Sequence, residues 1–135
     1  MISLARWVVA AAMLLSSSLA MGQFCIFNGT PSSITFSSLD PSVATTQTAF
    51  TTAKVICIPT TTTPTWTFSG ANGNAPLRMK HSTLSLYLPY SVATSLIGTS
   101  GLTQSWRITA TVLGTDYQNA HVGSYSDTLT ATILP

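Results

Sequence analysis

Two histidines, His81 and His121, are the only imidazoles in the chain, and Asp116, Asp127 and many serines accompany them. On paper these compose a Ser-His-Asp relay. Acyl transfer, however, needs a nucleophile held on a sharp turn and a base held by a third group, and no segment carries a nucleophile-elbow pattern. Neither histidine has a His, a Cys or a pair of carboxylates at ligand spacing, so the residues argue against a metal site as they do against catalysis. No cofactor motif is present. The chain reads as a protein without enzymatic activity.

The remaining reactive residues are Cys25 and Cys57, the only two cysteines. Residues 1–22, "MISLARWVVAAAMLLSSSLAMG", place Arg6 before an apolar run from Trp7 to Leu15 and end in small residues. This is the layout of a secretory signal peptide, cut after Ala20 or Gly22, and the run is too short for the ~20 residues of a membrane-spanning helix. Residues 23–135 then form one exported domain in which a disulfide can form and persist. A Cys25–Cys57 bridge encloses 31 residues and is worth about 2–4 kcal/mol in the chain-entropy model. Paired metal or redox thiols are the alternative, against which stand the absent C-x-x-C and the lack of a nearby His.

Past the signal, four cations (Lys54, Arg78, Lys80, Arg107) face three carboxylates (Asp40, Asp116, Asp127), a formal net charge of +1. That balance gives no electrostatic case for a nucleic-acid partner. Only 6% of residues are charged, so Thr, Ser, Asn and Gln must cover the surface. Asn28-Gly29-Thr30 matches a glycosylation sequon but reads more simply as an Asn-Gly turn.

The elements that must position these residues are strands. "FCIF" alternates, the turn signal "NGTPSS" follows, and Ile34 and Phe36 resume the alternation. After a Thr-rich stretch at 45–52, "AKVICI" is a short buried strand. "TWTFSG" puts Trp66 and Phe68 on one face. The longest alternation runs through Leu84, Leu86, Leu88, Tyr90 and Val92, and "SWRITATVLG" points Trp106, Ile108, Ala110 and Val112 inward. That parity counts against Trp66 and Trp106 as an exposed sugar platform. From Tyr125 a last strand places Tyr125, Leu129, Ala131 and Ile133 on one face. About seven short strands with regular turn signals predict an all-β immunoglobulin-like sandwich, a small closed barrel being the alternative. The final strand is half-buried and needs neighbours on its edges, and alternation leaves open which strand lies beside it.

The early Cys25, the second cysteine in "VIC", the pair Arg78-Met79, "LPYSVAT", and Gly123-x-Tyr125-x-Asp127 before an alternating strand together resemble the spore coat protein U domain, found in pilin subunits of archaic chaperone-usher fibres. The likeness covers essentially the whole exported chain, with Leu88, Tyr90 and Val92 also matching. It departs at Ala93, where an aromatic is commoner, and in the separation of Gly98 from Trp106. The resemblance implies an incomplete immunoglobulin-like fold, lacking its final strand and completed by a strand from another molecule: first a periplasmic pilus chaperone, then a neighbouring pilin subunit, with an outer-membrane usher assembling the fibre. It further implies Sec export, periplasmic transit and a final place on the cell surface or outside the cell. The acceptor groove would be lined by Tyr125, Leu129, Ala131 and Ile133, and four or five donor side chains would each gain roughly 1.5–3 kcal/mol before ordering costs. An ordinary pilin offers about ten or more residues ahead of its first Cys. Only Gln23 and Phe24 separate Gly22 from Cys25, so a position at the fibre tip is expected, with "GANGNAP" and "GTSGLTQ" as adhesive loops. A free-standing secreted β-sandwich that binds carbohydrate or a surface is the alternative function.

Overall fold

In the computed structural model, residues 22–36 and 39–135 are described. The signal segment assigned to residues 1–22 lies outside them except for Gly22. The described residues form an all-β sandwich of eight strands and one short helix: β1 (Phe24–Phe27), β2 (Gln47–Ile58), β3 (Thr65–Gly70), β4 (Leu77–His81), β5 (Tyr87–Ser100), β6 (Thr103–Val112), α1 (Gly114–Tyr117), β7 (Tyr125–Ser126) and β8 (Leu129–Leu134). Six strands form one antiparallel sheet in the order β1-β2-β6-β5-β4-β7, and β3 pairs with β8 in a second.

Period-2 alternation accounts for the larger sheet. Thr51, Ala53, Val55 and Cys57 of β2 and Gln104, Trp106, Ile108, Ala110 and Val112 of β6 are buried, and the residues between them face outward. From Gln47 onward the Thr-rich stretch belongs to β2, since β-branched threonine suits a half-buried strand. Its one buried threonine, Thr51, pairs its hydroxyl with Ser32 Oγ at 2.9 Å.

Cys25 and Cys57 stand directly opposite each other on β1 and β2 and form a disulfide. The bridge ties the four-residue edge strand β1 to the sheet. Beyond it, Asn28 and Gly29 form a turn, with Gly29 at φ 93° and the Asn28 N–H bonded to Lys54 O at 2.8 Å.

Three sequence-based expectations change. Leu84 and Leu86 are exposed, because residues 82–86 form a loop curled around His81: its Nδ1 accepts the N–H groups of Thr83 and Leu84, both at 3.2 Å, which breaks the alternation until Tyr87. Ile34 and Phe36 lie in irregular chain rather than in a strand, although both pack on the core. The last strand is two. Tyr125 pairs with His81 in the larger sheet, and Leu129–Leu134 pairs with β3 in the smaller one, so the chain changes sheets at Asp127 and Thr128.

Candidate functional site

The buried residues fall into two clusters. One joins Met79, Leu88, Tyr90, Ala110, Val112 and Tyr117; the other joins Val55, Cys57 and Trp106, with Trp66 packed against it. A domain of this size normally has one contiguous core. Here an apolar groove of about 1160 Å³ runs between the sheets, above the range of ordinary small-molecule pockets.

Its floor is the inner face of the larger sheet, formed by Met79, Leu88, Tyr90, Ile108 and Ala110. One bank is β8, through Leu129 and Ala131; the other is the irregular segment carrying Ile34, Phe36 and Leu39. Phe27 and Phe68 stand toward one end and Tyr117 lines the wall as well. Both banks have unpaired backbone. β8 pairs with β3 along one edge, and no described strand pairs with the other. Residues 30–36 make no backbone-to-backbone hydrogen bond among the described residues. Backbone groups left unpaired beside apolar surface are a template for an added strand.

Asp127 holds the place where the chain changes sheets. Its Oδ2 accepts the Tyr90 hydroxyl at 2.7 Å; its Oδ1 accepts Asn72 Nδ2 at 2.8 Å, the Thr128 N–H at 2.9 Å and the Asn72 N–H at 3.2 Å. Burial, then the hydrogen bond to Asp127 and its negative charge, push the Tyr90 hydroxyl pKa well above its ordinary value of 10.0. Arg78 lies on the opposite, outward face of β4 and donates from Nε to Asn72 O, gripping the same loop from outside. Gly70 and Gly123 are glycines for steric reasons. A Cβ on Gly70 would overlap Asp127 Oδ2, and one on Gly123, where φ is 153°, would overlap His81 Nε2. The Tyr125 ring stands edge-on to His81, with centroids 5.0 Å apart.

Of the residues assigned to the groove from sequence, Tyr125, Leu129 and Ala131 line it. Ile133 does not: it packs with Trp66, Trp106 and Cys57 in the second cluster, because β8 carries it past the groove's end. Among the resemblance residues, Met79 and Tyr90 lie in the floor, Asp127 and Gly123 line the wall beside the crossover, and Arg78 faces away. Sequence reading did not assign Phe68, Ile108 and Ala110 to the groove, though their inward parity was legible. It placed Asn72 only in an exposed loop, since a turn asparagine gives no sign of a long-range partner. "GANGNAP" supplies that asparagine, and in "GTSGLTQ" only Gly101 and Leu102 form a turn between β5 and β6.

His81 is buried, with Nε2 3.2 Å from Val122 O and Nδ1 occupied by loop N–H groups, so both nitrogens serve structure. Among the described residues no three His, Cys, Asp or Glu side chains converge as metal ligands do. Compared with protein-family models, with curated proteins and with solved structures, the chain matches none.

Proposed function

We propose that this protein is a structural or adhesive subunit of a chaperone-usher surface fibre, whose sandwich is completed by an extended segment from a second molecule. The observation that carries the reading is the apolar groove lying along the unpaired edge of β8. An inserted strand bonds its backbone to β8 and buries alternate side chains against Met79, Leu88 and Ile108, which is β-strand addition. The six residues of β8 span about 20 Å, room for three side chains facing the groove from one strand. Asp127 keeps β8 in place while the groove is empty. The likeness to spore coat protein U domains supports the same reading and names the donors: a periplasmic chaperone, then a neighbouring subunit.

Co-expression with a pilus chaperone tests it. The exported protein should co-purify with the chaperone, and amide hydrogen exchange should show the β8 amides that face away from β3 protected only in the complex. A monomer that is soluble alone, with β8 amides already protected on both edges, rejects the reading.

A further inference from the structure

All four lysines and arginines among the described residues point the same way. Lys54 on β2, Arg107 on β6, and Arg78 and Lys80 on β4 are exposed at the outward positions of the larger sheet, opposite the groove. The three carboxylates lie elsewhere, Asp40 in a turn, Asp116 in α1 and Asp127 at the crossover between sheets. Residues 23–135, of net charge +1, therefore present one face with four positive charges. Among the described residues none of the four forms an ion pair.

The charges form two clusters, each built on an exposed aromatic ring. The Arg107 guanidinium lies 4.6 Å from the centroid of Phe50, and the Arg78 guanidinium 4.7 Å from that of Tyr87. Phe50 is 61% exposed, and its ring holds the Arg107 cation at the surface. Lys54 neighbours the first cluster, since it and Arg107 are two residues apart in the β2–β6 register; Lys80 neighbours the second. Arg107 pairs with Ser95, and Arg78 with Pro89, six residues along β5, so the clusters stand roughly 20 Å apart along the strands. Between them lie Ser91, Ala93, Thr109 and Thr111, small and mostly hydroxylated, with Ser95 beside Arg107.

From this arrangement we infer that the outer face of the six-stranded sheet binds an acidic polysaccharide. Two fixed cationic clusters engage carboxylates several sugars apart, and the Ser and Thr hydroxyls between them bond to sugar hydroxyls. Nucleic acid suits the face less well. Duplex DNA presents a charge about every 1.7 Å of its axis and calls for a continuous row of cations, whereas these cations come in two separated pairs. Each aromatic ring also has one face already covered by a guanidinium, which leaves less ring for base stacking. The inference is independent of the groove, which opens on the other side of the sheet.

The test measures binding of the disulfide-bonded exported protein to polygalacturonate, to neutral dextran of similar length and to a DNA duplex, at two salt concentrations. Polygalacturonate should bind, more weakly at high salt, and dextran should not. The double variant K54Q/R107Q should lose roughly two- to thirtyfold in affinity, the size expected for two exposed charge contacts, and K80Q about twofold. Ser95→Glu, which removes no cation, should weaken binding as well. Circular dichroism confirms that each variant is folded. The inference is overturned if polygalacturonate does not bind, if dextran binds equally, if K54Q/R107Q binds like the parent, or if the DNA duplex binds more tightly than polygalacturonate.

Discussion

The Tyr90–Asp127 hydrogen bond joins the floor of the groove to the point where the chain passes from one sheet to the other, and its strength can be measured with a double-mutant cycle. Asp127 accepts four hydrogen bonds, of 2.7, 2.8, 2.9 and 3.2 Å. A hydrogen bond to a charged group contributes about 1.5–3 kcal/mol when its partners are withdrawn from water. The Thr128 N–H is exposed and water replaces its bond, so only the part-buried bonds from Tyr90 and Asn72 count in full. Asp127→Ala should therefore destabilise the disulfide-bonded protein by about 3–5 kcal/mol, partly by leaving the mostly buried Tyr90 hydroxyl without an acceptor. Tyr90→Phe and Asp127→Asn should each cost about 1–2 kcal/mol, with a coupling energy of about 1–2 kcal/mol between them. Urea unfolding at pH 7 reads all four corners of the cycle. A coupling below about 0.5 kcal/mol would mean that the two groups are independent and that Asp127 does not anchor the crossover.

Four further outcomes follow from particular contacts. Because folding raises the Tyr90 pKa, the folded chain holds that proton more tightly than the unfolded one; the associated stability is complete below pH 10 and is lost as pH rises further. Alkaline urea titrations should show the loss and Tyr90→Phe should reduce it; an identical slope in the variant refutes the assignment. Leu129→Asp puts a charge on the groove bank, and should abolish capture by a pilus chaperone in a pull-down while Cys25 and Cys57 still oxidise; unchanged capture removes β8 from the site. Replacing both cysteines by serine should lower stability by about 2–4 kcal/mol, read from the urea midpoint, and a change under 1 kcal/mol would show that the bridge restrains little. Gly123→Ala drives a methyl group into His81 and should cost at least about 2 kcal/mol in the same assay; a variant as stable as the parent would mean that the 121–124 loop moves aside freely.

Which residues face inward was legible in the sequence wherever alternation ran unbroken. Trp106, Ile108, Ala110 and Val112 of β6 lie buried as their parity requires, because a pleated strand sends successive side chains to opposite faces whatever its neighbours are. The Cys25–Cys57 bridge was legible by elimination, since these are the two thiols of the sequence. Alternation misled where a side chain captured the backbone: at Leu84 and Leu86, His81 draws the loop N–H groups to its ring, and at Asp127 the carboxylate collects bonds from residues 37 and 55 positions away. Sequence periodicity also carries no record of which strands become neighbours. Tertiary pairing alone therefore put Tyr125 in one sheet and Leu129 in the other, opened the groove between them, and gathered Lys54, Arg78, Lys80 and Arg107, scattered over more than fifty positions of chain, onto one face. The cause is that parity is a property of one strand, while adjacency is decided by the free energy of burying all the inward faces at once.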